Sequence, residues 1–211
     1  MKELNIKSST VEKSLDLAKG FLQKLIGPSV DELGLMFSDN VKLWRLKNQI
    51  RNLEKVKKIV EEQQINIKQV NLKVVIPYLE GVSLEEDETL QNLWANLFAN
   101  YIDSAKNLTI NVYPNILKQL STNEVKILDF MRNSKSTVNF SGFRKTSDIL
   151  FNEEEIANLQ RLGLIKEELE FSQYGGDYAD NGQYRWKIEE IGSGRYYISD
   201  FGGEFLGACA R

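Results

Sequence analysis

Val11, Leu15, Ala18, Leu22 and Leu25 recur at alternating intervals of three and four residues, the spacing that gathers apolar side chains on one face of a helix. The pattern predicts a helix over residues 9 to 26 that stops at Gly27-Pro28. Proline suits a first helical turn, where its missing N–H would be unpaired anyway, so a short second helix is expected from Pro28 to Phe37. Ser38-Asp39 offers capping oxygens for a third, from Asn40 to Gln63. In that helix Leu43, Leu46, Ile50, Leu53, Val56 and Val60 share one arc of about 140°, the side expected to face a core. Lys47, Arg51, Lys55 and Lys58 fall on a separate arc with Trp44 beside them.

Leu72, Val75, Ile76 and Leu79 mark a short helix expected to stop near Glu80-Gly81. Ser83-Leu84-Glu85-Glu86 has the form of a capping box, in which serine takes the N3 amide and the glutamate returns the bond. The helix it announces carries Leu90, Leu93, Trp94, Leu97, Phe98, Tyr101 and Ile102 in unbroken helical order and should lie at the centre of the core. Tyr113-Pro114 opens one or two more turns, ending near Leu120.

The character of the chain then changes. Ser121-Thr122-Asn123-Glu124 forms a second capping box, and Asn152 with Glu155 a third capping signal, opening a helix through Leu159 and Leu162 to Gly163. Beyond Gly163 the period becomes two: Leu169 and Phe171, then Tyr184, Trp186 and Ile188, alternate with polar neighbours around the turn pair Asn181-Gly182. A hairpin is expected, with Tyr196 to Ser199 as a candidate third strand and Phe201 to Ala210 as a closing helix. The expected architecture is mainly α: a multi-helix domain over residues 1–120, then a winged-helix-like α+β domain over 121–211 with a small antiparallel hairpin or three-stranded sheet.

Composition narrows the chemistry. The chain has 211 residues, no histidine and a single cysteine, Cys209. Imidazole is thus removed as general base, metal ligand or partner of a nucleophile, and cysteine pairs are removed as metal or redox sites. No catalytic residue, metal or cofactor is expected. The absence of a signal-like apolar start and of any membrane-length apolar run sets the expectation of a cytoplasmic protein.

The candidate clusters have plainer explanations. Glu85 to Glu88 occupies a helix start, where carboxylates favour the dipole. Asp177 and Asp180 fit turn chemistry better than a cation site. Glu124-Val125-Lys126 is the one triplet of nuclease form, but it sits at a capped helix start rather than on a strand.

Charge separates the two halves. The whole chain is −3, yet residues 1–70 hold 13 basic and 9 acidic side chains, whereas residues 121–211 hold 11 basic and 15 acidic. A net negative second half disfavours nucleic acid as the partner of the winged module. The stripe of Trp44, Lys47, Arg51, Lys55 and Lys58 is the candidate partner-binding surface, with a solvated face as its plain alternative.

Several blocks, in order, carry a family likeness. They are Gly20 to Pro28, Glu32-Leu33-Gly34, Val41 to Ile50, Pro77-Tyr78-Leu79-Glu80-Gly81, Leu84 to Glu88 and Leu93-Trp94-Ala95-Asn96-Leu97. Through them the chain resembles the abortive infection alpha family of bacterial phage-defence proteins, over roughly residues 18 to 130. The resemblance implies a role in limiting phage spread at the cost of the infected cell, and it brings no catalytic residues. The expected function is therefore a non-enzymatic sensor or effector working through a protein partner or self-association. A winged-helix DNA-binding regulator is the alternative and an uncharacterised hydrolase the third reading; peripheral membrane contact stays open.

Overall fold

The computed structural model describes residues 9–27, 43–134, 137–139, 152–178 and 184–211. The expected helix from Pro28 to Phe37, the Ser38-Asp39 cap and the Asn181-Gly182 turn lie outside them. Among the described residues helices dominate, with one three-stranded antiparallel sheet. The chain divides into two compact units, Met1–Leu120 together with Leu206–Arg211, and Ser121–Phe205.

The first unit holds α1 (Ser9–Ile26), α2 (Leu43–Glu62), α3 (Leu72–Leu84), α4 (Glu88–Ile102) and the short α5 (Tyr113–Leu117). α1 ends where Gly27 turns to φ 64°, a left-handed value that glycine adopts without steric cost. α2 packs against α1, α3 and α4, burying Leu46, Ile50, Leu53 and Val56 of the expected arc, while Val60 is half-buried. α4 supplies several of the largest buried side chains, among them Trp94, Phe98 and Tyr101, beside Tyr78 of α3 and Tyr113 of α5.

Two expectations about α3 and α4 fail. α3 runs past Glu80-Gly81 to Leu84, because Gly81 is a packing position: a Cβ there would lie 2.3 Å from Trp94 Cζ2. The Ser83 capping box does not form either. Asp87 caps α4, its Oδ1 accepting from the amides of Thr89 at 2.9 Å and Leu90 at 3.1 Å. Ser83 instead belongs to the last turn of α3 and donates to Glu80 O at 2.7 Å. Glu85 Oε1 accepts the Asp87 amide at 2.9 Å, which closes the link between the two helices.

The second unit holds α6 (Thr122–Ser134), β1 (Val138–Asn139), α7 (Glu153–Arg161), β2 (Ile165–Tyr178) and β3 (Tyr184–Ile198), and α8 (Asp200–Ala208) begins in it. Strand order is β1-β3-β2, all antiparallel. Tyr196 to Ile198 is therefore no separate strand but the end of β3, and the third strand is β1, with Val138 opposite Tyr196. The chain stays paired with β2 because Gly194, at φ 69°, lets β3 bulge between Gly192 and Tyr196 instead of turning away. Ser121-Glu124 is the reciprocal capping box expected: Glu124 N donates to Ser121 Oγ at 3.1 Å and Ser121 N to Glu124 Oε2 at 2.6 Å. Asn152 stands at the start of α7 but makes no side-chain cap bond. Glu155 reaches instead to Asn123 and Ser121 at the start of α6.

Candidate functional site

The outer face of α2 is interrupted. Arg51 and Lys55, one turn apart, both bond the Glu88 carboxylate in the first turn of α4, and Lys55 Nζ also reaches Asn92 Oδ1 at 2.6 Å. The Lys55 hydrogen bond is the main cause holding the Glu88 carboxyl below its ordinary value. Lys58 lies 3.7 Å from Glu62 along the same helix and borders a shallow groove floored by Leu17, Phe21 and Leu53. Trp44 and Lys47 remain open: the indole is 39% exposed, and Lys47, three residues on, shares its side of the helix. Three of the five stripe residues thus carry ion pairs, two of them to α4 and one along α2 itself.

Next to Trp44, Arg45 turns the other way. Its Nε and NH2 donate to Ser83 Oγ at 3.2 and 3.0 Å, and Asn48 Nδ2 donates to Ser83 O at 3.3 Å. The N-terminal part of α2 is thereby fixed to the last turn of α3, whose final residue, Leu84, is 53% exposed. The sequence presents Leu84 only as part of the Ser83 capping box, which says nothing of its exposure.

Deeper along α2 the polar groups are buried. Asn52 Nδ2 donates to Gln91 O at 2.8 Å and to the Gln91 side-chain oxygen, and Tyr78 OH donates to Asn52 Oδ1 at 2.7 Å. Gln91 Nε2 continues the chain to Glu85 O at 2.8 Å. Burial pushes the Tyr78 phenol well up, which keeps it in the protonated form that can donate. Its ring stacks on Phe98 with centroids 3.9 Å apart. Gln49 Nε2 donates to Leu79 O at 3.0 Å, while its Oε1 is buried without a partner.

The acidic clusters are likewise engaged. Glu85, Asp87 and Glu88 hold the amide, cap and ion-pair bonds already described, and burial raises the Glu85 carboxyl. Glu124 completes its capping box and accepts Asn158 Nδ2 at 2.6 Å. Among the described residues no group of three His, Cys, Asp or Glu is gathered as a metal site. The Asp177–Asp180 turn lies outside the described residues.

The described residues of the blocks Val41 to Ile50, Pro77 to Gly81, Leu84 to Glu88 and Leu93 to Leu97, with Asn52, Ser83 and Gln91 beside them, thus meet along one seam of α2, α3 and α4. A family model for abortive infection alpha matches residues 40–209, most of the chain. The chain belongs to the abortive infection alpha family. The match begins after the Gly20 to Pro28 block and runs through the second unit, well past the residues near 130 where the resemblance carried by the sequence blocks ends. No curated protein and no solved structure matches the chain. For an abortive infection alpha protein, then, the seam has a direct physical meaning: its distinctive polar residues bond one helix to another. Among the described residues no helix is long and apolar enough to cross a membrane.

Proposed function

We propose that this abortive infection alpha protein defends the cell against phage without catalysing a reaction, as a sensor or effector that acts by macromolecular contact. Family membership over residues 40–209 carries the defence role. The non-enzymatic reading is supported by the occupation of the candidate acids, since Glu85, Asp87, Glu88 and Glu124 each serve a cap, a turn or an ion pair. Exposed Trp44, Lys47 and Leu84, on helix ends joined through the Arg45–Ser83 bond, are the contact surface of the first unit. The partner is a protein. A duplex is the poorer partner for the helix before the hairpin, because α7 opens on Glu153, Glu154 and Glu155.

Expression should reduce plaque formation by at least some members of a broad phage panel. A culture infected at low multiplicity should survive, and one infected at high multiplicity should collapse. Trp44→Ala with Lys47→Glu should abolish protection while leaving the melting transition unchanged. Equal plating with and without the protein across the panel would refute the defence role; protection by a folded double variant would move the contact elsewhere.

A further inference from the structure

The order β1-β3-β2 puts β2, a strand of 14 residues, at the edge of the described sheet. An edge of that length is a row of backbone donors and acceptors ready to pair with another chain, and proteins commonly guard it with outward charges. Here the charges are drawn inward. Arg195 on β3 bonds Glu168 through Nε and Glu170 through NH2, both at 2.7 Å. Glu167 Oε1 accepts the Gly194 amide at 2.9 Å. Three acids of the edge strand are thereby committed to β3. Two residues apart on β2, and so on one face of the sheet, Leu169 and Phe171 are 50% and 68% exposed.

We propose that β2 pairs antiparallel with the β2 of a second copy about a two-fold axis at Phe171, joining two three-stranded sheets into one of six strands. The distribution of charge along the strand selects both partner and register. Pairing about Phe171 sets Glu170 opposite Ser172, Glu168 opposite Tyr174 and Glu167 opposite Gly175, so no acid faces an acid. Centring on Leu169 would set Glu168 against Glu170, and centring on Glu170 would set that residue against itself. The Phe171 axis also puts the two phenyl rings directly across from each other, with each Leu169 on the diagonal, so the four exposed side chains cover one another.

Sedimentation velocity of the full chain tests this. The parent should sediment as a dimer whose population rises with concentration. Phe171→Glu, at a site too exposed to disturb the core, should weaken association by about a hundredfold or more, because two buried rings become two facing carboxylates. Mixing Phe171→Glu with Phe171→Lys should restore the dimer, an outcome special to an axis that sets residue 171 against itself. Phe171→Cys should form a cross-linked dimer on mild oxidation, since Cys209 is buried and does not compete; this readout stands even if the charged variants misfold. A monomeric parent, or a dimer indifferent to Phe171→Glu, would overturn the pairing. A folded Glu/Lys mixture that stays monomeric, or Phe171→Cys that does not cross-link, would overturn the register.

Discussion

Gly20 and Gly81 both sit inside helices, yet an added methyl group would meet opposite surroundings at the two. A Cβ on Gly20 finds nothing within 4 Å, whereas one on Gly81 strikes the Trp94 indole. Gly20→Ala should therefore stabilise by about 0.5–1 kcal/mol, through backbone entropy alone. Gly81→Ala should cost about 1–3 kcal/mol, as overpacked sites do. Urea melts of the two variants beside the parent check both signs. From sequence alone Gly81 looks like a helix stop, because its steric role depends on an indole 13 residues away. Tyr78 and Asn52 were hidden for a related reason: periodicity counts apolar positions, and a buried amide becomes intelligible only with its partner from another helix. Tyr78→Phe leaves Asn52 Oδ1 without its donor and should cost about 1–3 kcal/mol.

Among the elements, α1, α2 and α4 were legible because each buries one continuous apolar arc, and α6 because its capping box is local. The link between α3 and α4 was not. Two acceptable caps, Ser83 and Asp87, stand four residues apart, and choosing between them requires knowing that Ser83 accepts from Arg45 on α2. Periodicity gives the basic residues of α2 an arc but not their ion pairs, since Glu88 comes from a different helix. Reversing charge along it should therefore be uneven. Lys47→Glu should shift stability by no more than about 0.5 kcal/mol. Arg51→Glu with Lys55→Glu would crowd three carboxylates at the start of α4 and should destabilise measurably more in the same urea titration, an effect that added salt reduces. Lost protection in that double variant would consequently not report recognition alone.

At the scale of the whole molecule, the last six residues return to the first unit. Asn100 Nδ2 donates to Ala208 O at 2.7 Å and Ala210 O at 3.0 Å, and its Oδ1 accepts Arg211 Nε at 2.6 Å. Arg211 NH2 also bonds Asp103 Oδ2 at 2.8 Å, with both side chains nearly enclosed. No local pattern near residue 211 announces this, because the partners lie more than a hundred residues upstream. Burial alone would raise the Asp103 carboxyl, but the Ala105 amide and the Arg211 guanidinium bring it below its ordinary value. The stabilisation from this depressed carboxyl is complete above the unfolded value of about 4 and is lost as pH falls through the native one. Arg211→Ala should thus cost about 1.5–3 kcal/mol at pH 7, with the gap to the parent unchanged at pH 5 and closing in stronger acid. Urea titrations at each pH measure it. The same return of the chain bears on biosynthesis. Residues 121–205 are translated between the bulk of the first unit and its final strut, which at about 5–20 residues per second means a wait of roughly four to seventeen seconds. Throughout that interval Asn100 Nδ2 lacks the carbonyls of Ala208 and Ala210 and Asp103 Oδ2 lacks the Arg211 guanidinium, and the first unit can reach its finished form only after residue 211 has left the ribosome.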